Sequence, residues 1–133
     1  METSELLKLR LENELPQKHI SQVKESLIQK DFHKFAEVVM RESNQLHAIC
    51  LDTLPAIFYM NNTSKLIVNT IRDLNTEYQQ NIAAYSIDAG FHVFVFTLKE
   101  QNQLVKSRIE TIAGQQLERI IETEIDRSGV VSE

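Results

Sequence analysis

The segment Asp88-Ala89-Gly90 stands between two apolar runs, and this arrangement constrains the fold more than any other feature of the chain. The runs at 82–87 and 91–98 are rich in β-branched and aromatic residues, a composition typical of strands. A link this short between two strands indicates a hairpin. The sequence therefore predicts an antiparallel strand pair that holds one carboxylate at the edge of a sheet.

Helical spacing of apolar residues predicts two long helices before this strand pair. The first begins at Pro16, a residue suited to a first helical turn, and runs to about Lys30. The second begins after Asp31, a good N-cap, and ends near Asp52 or Thr53. It must end there because Pro55, two residues further on, disfavours helical angles at the residue before it.

The remaining segments complete an α+β pattern. A third helix is predicted behind Asn62, and a fourth ends at Gly114, followed by a last strand at 117–125. We expect one domain over residues 1–133, with helices packed on one face of a small antiparallel sheet. Three strands leave open edges, so a further strand could come from outside this sequence.

Composition narrows the classes of function. The chain has 133 residues, 42% of them hydrophobic, which suffices for one core. A net charge of −5 provides no basic surface for a nucleic acid. No apolar run approaches the roughly 20 residues that span a bilayer, and the first residues lack the pattern of a signal peptide. We expect a cytoplasmic protein without nucleic-acid or membrane partners.

Cysteine and histidine residues predict neither a disulfide nor a metal site. Cys50 is the only cysteine, and its place in an apolar helical pattern favours a buried thiol over a nucleophile. The four histidines are not spaced with cysteines or carboxylates as metal ligands are. His47, on the apolar face of the second long helix, could line a cleft, but a hydrogen-bonded core histidine is favoured.

Asp88 is the one residue whose placement suggests catalysis. An acid on a glycine-containing turn between buried strands can be partly desolvated, which tunes a carboxylate for proton transfer. Aspartates in turns also commonly accept hydrogen bonds from backbone N–H groups, and spacing alone favours this structural interpretation. The nearby Phe91, Phe94 and Phe96 are interpreted as sheet core rather than as a platform for stacking bases.

Three segments carry a resemblance to a known family, in matching order and at matching intervals. They read SNQLHAICLDT at 43–53, LPAIFYMNNTS at 54–64 and DAG at 88–90. Together they closely resemble the carboxyl-terminal domain of mevalonate diphosphate decarboxylases, and the similarity covers nearly the whole chain. The resemblance implies the ferredoxin-like carboxyl-terminal domain of the GHMP kinase superfamily.

The resemblance also implies a reaction. Enzymes of this family phosphorylate the tertiary hydroxyl of mevalonate diphosphate, using ATP with Mg²⁺, and then release phosphate and carbon dioxide to give isopentenyl diphosphate. The family's catalytic aspartate falls on Asp88, where it would orient or deprotonate the hydroxyl, a role suited to phosphoryl transfer governed by positioning. Ala89 and Gly90 would lie beside the substrate.

Further implications concern partners. The family has an amino-terminal ATP-binding domain that this sequence lacks, so we expect no nucleotide on this chain alone. A homodimer is also implied. Phe91 and His92 depart from the family's usual Pro-Asn after the turn, and their effect is open. Whether the substrate is a diphosphate or a monophosphate is likewise open.

A non-catalytic binding or oligomerisation domain that keeps the fold is the alternative function. The missing half and the altered residues after the turn motivate this hypothesis. A serine-rich phosphate loop encoded in the surrounding reading frame, or in a neighbouring chain, would favour catalysis instead.

Overall fold

The computed structural model describes residues 2–125. In that range five α-helices and two strands follow in the order α1 (Glu5–Glu12), α2 (Leu15–Ile28), α3 (Phe32–Asp52), α4 (Asn62–Glu77), β1 (Ala83–Ser86), β2 (Phe94–Thr97) and α5 (Lys99–Ala113), and a 3₁₀ turn (Gly114–Gln116) ends the series. The predicted α+β class is confirmed. None of these helices is both long and apolar enough to cross a membrane.

Local signals set the ends of the long helices. The Asp31 side chain accepts a hydrogen bond from the Lys34 N–H at 3.1 Å, and α3 ends at Asp52 with an extended Thr53 behind it. Both predicted ends of α3 are confirmed. At the start of α4 the N-cap is Asn61 rather than Asn62, because the Asn61 side chain accepts from the Ser64 N–H at 2.8 Å.

Helix α1 was not distinguished in the sequence. It begins at a Ser4 N-cap and buries none of its own residues. Its leucines at 6, 7, 9 and 11 are spread around the helix, so no single apolar stripe marks it in the sequence. Its start is tied to the end of α3, where the Asp52 carboxylate accepts from the Leu6 N–H at 3.1 Å and the Ser4 hydroxyl at 2.7 Å. These two hydrogen bonds lower the pKa of Asp52 below its ordinary value.

The strands form the predicted antiparallel pair. Ala83 stands opposite Thr97, and Ser86 stands opposite Phe94. The link between them is longer than the three residues expected, since it occupies 87–93. The pair therefore ends before Asp88, and the predicted turn becomes a loop beyond the end of the ladder.

One core lies between the sheet and helices α4 and α5. Its buried members come from these elements and from the residues that flank them: Ile67, Ile71, Leu74, Ile82, Ala83, Tyr85, Val105, Ile109 and Ala113. Successive residues Ala83, Ala84 and Tyr85 are all buried, so both faces of β1 are covered. Along β2, exposed and half-buried residues alternate, so only one face of this strand is covered.

The expectation that three phenylalanines lie in the sheet core was wrong. Phe91, Phe94 and Phe96 are 53%, 57% and 41% exposed rather than buried in the sheet core. The register explains the strand residues, because Val95 stands opposite the core residue Tyr85 and its two neighbours must point to the other face. The ring of Phe96 lies 5.8 Å from the ring of Phe35 on α3, in an edge-to-face arrangement.

The predicted last strand at 117–125 is also wrong. This segment has no strand pairing, and its apolar side chains reach 67% exposure at Ile121 and 93% at Ile125. An apolar run becomes a strand only where a sheet edge supplies hydrogen-bond partners for its backbone. In the described part of the chain the run follows the 3₁₀ turn without joining either strand.

Candidate functional site

Asp88 lies in the loop that follows β1, with its neighbour Ala89. Both are exposed to solvent, whereas Gly90 is half-buried. Asp88 is thus not desolvated as expected. The reason is that the loop extends past the end of the strand pair. Within residues 2–125 the carboxylate forms no salt bridge, and carboxylate oxygens can accept hydrogen bonds from a ligand.

The residue before Asp88 is held from α3. Ile87 is 1% exposed, and its backbone N–H donates to the Ser43 hydroxyl oxygen at 3.0 Å. Its carbonyl accepts from the His47 Nε2–H at 2.8 Å, with the Ser43 hydroxyl 3.4 Å away. Ser43 and His47 stand one helical turn apart and so share a face of α3. We call these two side chains and the Ile87 backbone the α3 clamp.

The other end of the loop is held from α4. The Ser64 hydroxyl donates to the Phe91 carbonyl at 2.5 Å, and Ser64 itself lies in the first turn of the helix capped by Asn61. Asp88, Ala89 and Gly90 thus span the gap between an anchor on each of two helices. A short segment fixed at both ends has fewer accessible conformations than a free loop.

Gly90 has a backbone conformation that other residues rarely adopt. Its φ is +149°, and a Cβ added there would meet no heavy atom within 4 Å. Backbone geometry rather than lack of space therefore calls for glycine at this position. The Asp-Ala-Gly order fits a loop that must reverse direction directly after the carboxylate.

The three segments that carry the family resemblance converge at this loop. The first contributes Ser43 and His47, the second contributes Asn61 and Ser64, and the third is the loop itself. The expectation that His47 is a hydrogen-bonded core residue is confirmed, since it is 5% exposed. The roles of the two serines were missed, because their partners are 44 and 27 residues away in sequence.

A second polar cluster lies on a different side of α3. The Arg10 Nη2 lies 2.7 and 2.9 Å from the two oxygens of Glu42, and His19 Nδ1 hydrogen-bonds to the same carboxylate. Burial raises the pKa of Glu42, but the hydrogen bonds and charges of His19 and Arg10 outweigh it, so the pKa lies below its ordinary value. This Glu42 cluster joins α1, α2 and α3.

The described part of the chain contains one buried thiol and no candidate metal cluster. Residues 2–125 contain no group of three or more histidine, cysteine or acidic side chains placed to hold a metal ion. Cys50 is 1% exposed, as expected for a core thiol, and burial raises its pKa. The arrangement that remains is an exposed carboxylate on a doubly anchored loop.

Comparison with known proteins agrees with the resemblance. Residues 1–129 match the family model of the mevalonate 5-diphosphate decarboxylase C-terminal domain. The diphosphomevalonate decarboxylase of Schizosaccharomyces pombe is 36% identical over 110 residues, which are 83% of this chain and 28% of that protein. The structure of mevalonate diphosphate decarboxylase from Trypanosoma brucei gives a TM-score of 0.78 at 30% identity, covering 82% of this chain and 29% of that one.

A third relative was solved with ligands. MDDEF in complex with MVAPP, AMPPCP and magnesium gives a TM-score of 0.76 at 24% identity, a likeness of fold that covers 86% of this chain and 34% of that one. The chain thus spans about 28% of the length of the S. pombe relative that it matches. The family match, by contrast, takes in nearly every residue. The chain belongs to the family of mevalonate 5-diphosphate decarboxylase C-terminal domains.

Proposed function

We propose that this chain is the substrate-side domain of an enzyme that converts mevalonate diphosphate to isopentenyl diphosphate with consumption of ATP. The observation that carries the proposal is the Asp88 carboxylate, exposed at the point where the three family segments converge. Proteins named diphosphomevalonate decarboxylase share this stretch of sequence. Asp88 is the catalytic residue in this proposal, and Ala89 and Gly90 form the backbone beside the substrate.

The chemistry suits a fixed carboxylate. Transfer of a phosphoryl group to a tertiary hydroxyl requires the hydroxyl oxygen to be aimed at the phosphorus, and an ionised carboxylate can accept the hydrogen bond that aims it. The same carboxylate can take up the hydroxyl proton as the new bond to phosphorus forms. Anchors on both sides of Asp88 limit how far the carboxylate can move away from that position.

ATP and Mg²⁺ are assigned to an amino-terminal domain. MDDEF was solved with AMPPCP and magnesium, which supports nucleotide and metal use by the family. In this chain the glycines of the described part, Gly90 and Gly114, are far apart in sequence and make no glycine-rich phosphate loop. The described acidic residues likewise form no cluster suited to a metal ion. We propose that the chain works only when joined to a nucleotide-binding partner domain.

Turnover by a reconstituted enzyme tests the proposal. The chain is fused to the amino-terminal part of the S. pombe relative, and release of ADP and carbon dioxide from ATP and mevalonate diphosphate is measured. Asp88→Asn should lower kcat by about 10²- to 10⁴-fold, the contribution of a positioned general base. Asp73→Asn is the matched control, because Asp73 is exposed on α4 and pairs with its neighbour Arg72. Equal turnover by the two variants would contradict the role of Asp88.

A non-catalytic binding or oligomerisation domain is the second candidate. One face of β2 favours it, because Phe94 and Phe96 project from the same side of the strand and are 57% and 41% exposed. The same face could form part of the homodimer implied by the resemblance. Silence in a fusion that is shown to be folded and to bind mevalonate diphosphate would favour this candidate over the enzyme.

A further inference from the structure

Three polar contacts from α3 converge on the backbone of one residue beside the proposed catalytic carboxylate. Both hydrogen-bonding groups of Ile87 are engaged, its N–H by Ser43 and its carbonyl by His47. In β1 itself, residues 83–86 pair with β2. The pairing stops at Ser86. At the next residue, the hydrogen bonds of the α3 clamp hold the backbone as a neighbouring strand would.

The direction of the hydrogen bond from His47 to Ile87 is fixed by its acceptor. A carbonyl oxygen can only accept a hydrogen bond, so Nε2 of His47 must carry a hydrogen. The ring is 5% exposed and packs edge-on against Tyr59, with centroids 6.3 Å apart. The donor therefore projects from a rigid helix at a fixed angle.

Planarity of the peptide bond carries this constraint to Asp88. The carbonyl group of Ile87 and the nitrogen and Cα of Asp88 belong to one rigid plane. A hydrogen bond that fixes the direction of the Ile87 carbonyl consequently fixes the Cα from which the Asp88 side chain departs. We infer that Ser43 and His47 are positioning residues, which set where the Asp88 carboxylate lies without contacting the substrate themselves.

This inference rests on the proposed function, and it predicts a specific kinetic pattern. A displacement of about 1 Å at a reacting group can cost about 10²-fold in rate. In the reconstituted fusion, His47→Phe should lower kcat by about 10- to 100-fold, with KM for mevalonate diphosphate changed by less than about 3-fold. His47→Gln keeps an N–H donor near the position of Nε2 and should recover most of that kcat.

A pair of matched serines separates positioning from general stability. Ser43 and Ser26 are both buried, at 5% and 2% exposure, but the Ser26 hydroxyl donates to the Val23 carbonyl of its own helix. Ser43→Ala should lower kcat by about 10-fold, and Ser26→Ala should leave it unchanged. If Asp88→Asn abolishes turnover while Ser43→Ala and His47→Phe behave like Ser26→Ala, the positioning role is overturned and the proposed function stands.

Amide hydrogen exchange on the 133-residue chain provides a readout that needs no turnover. The Ile87 amide should exchange at least about 10-fold faster in Ser43→Ala than in the unmodified chain, because its acceptor is removed. Amides of α5 should be unchanged in both serine variants. Unchanged exchange at Ile87 would overturn the inference whatever the kinetics. Loss of turnover in Asp88→Asn alone would mean that the positioning inference has failed. Turnover that Asp88→Asn leaves unchanged would mean that the proposed function has failed.

Discussion

Glu42 and Ser43 are neighbours on α3, yet they belong to polar regions with different partners. The Glu42 cluster is ionic and joins side chains from three helices. The α3 clamp is built from hydroxyl, imidazole and peptide groups, and it joins a helix to the backbone beside Asp88. Because successive helical residues point about 100° apart, one turn of helix serves both regions.

This difference separates two tasks. Side chains that bind other side chains can move with their helices, so the Glu42 cluster mainly affects whether α1 and α2 stay packed on α3. Hydrogen bonds to a backbone fix the direction of the chain, so the clamp mainly affects where the next residue lies. We expect substitutions in the first region to change stability and substitutions around the loop to change the geometry of the site.

The largest effect on stability should follow Glu42→Gln. This change removes the charge that pairs with Arg10 and weakens the acceptor of the His19 contact, and the two partner side chains are only 15% and 8% exposed. Breaking a fully buried ion pair costs about 3–5 kcal/mol, but Glu42 is 37% exposed, so we expect a loss of about 2 kcal/mol in the free energy of unfolding. Urea denaturation measures it. Glu37→Gln, which breaks an exposed pair with Arg41, should cost less than about 0.5 kcal/mol.

The same cluster should give the chain an acid-sensitive component of stability. Folding lowers the pKa of Glu42, so the ionised carboxylate stabilises the fold above its unfolded pKa of about 4.3, and this contribution is lost as the pH falls through the lower folded pKa. Denaturation at several pH values from 6 to 3 should show a shallower decline in Glu42→Gln than in the unmodified chain. Parallel declines would show that Glu42 is not stabilised by its partners. Asp52, whose pKa is also lowered, should maintain part of the decline in both.

The parts of the fold that sequence predicted are those with local causes. Both ends of α3 follow from a cap at Asp31 and from Pro55, signals within a few residues of the helix. His47 could be assigned to the core because it falls on an apolar helical face. The antiparallel strand pair likewise needed only two apolar runs close together in the sequence, although the link between them is longer than predicted.

The parts that sequence missed depend on distant partners. Apolar side chains occur on both sides of β2, so only the pairing with β1 decides that Val95 faces the core and Phe94 does not. The segment at 117–125 has the composition of a strand, but it pairs with neither β1 nor β2. The Asp88 loop could be located, yet its anchors at Ser43 and Ser64 became visible only in three dimensions.

A smaller effect on stability, together with a distinct effect on geometry, should follow Gly90→Ala. The φ of +149° is strained for alanine, and we expect a loss of about 1.5 kcal/mol in the free energy of unfolding, because the new methyl group itself meets nothing. The loop should relieve part of the strain by moving, which would lower kcat of the fusion by about 10-fold. Gly114→Ala is the matched control, since its φ of −55° suits alanine and its Cβ also meets nothing. Equal turnover in both variants would show that the loop tolerates strain without moving Asp88.

The smallest effect should come from Tyr85→Phe. This change tests whether a contact between α3 and β1 affects stability alone or also the geometry of the site. The Tyr85 hydroxyl donates to the Asn44 side chain at 2.8 Å, so this is a further polar contact of α3, but it reaches β1 and not the loop. We expect a loss of about 1 kcal/mol by urea denaturation, typical of one hydrogen bond, and kcat of the fusion within about 2-fold of the unmodified value. Tyr78→Phe is the control, because Tyr78 is 42% exposed at the end of α4. If Tyr85→Phe instead lowered kcat as far as His47→Phe does, the Asp88 loop would be positioned by the whole contact of α3 with the strand, and the clamp would have no separate role.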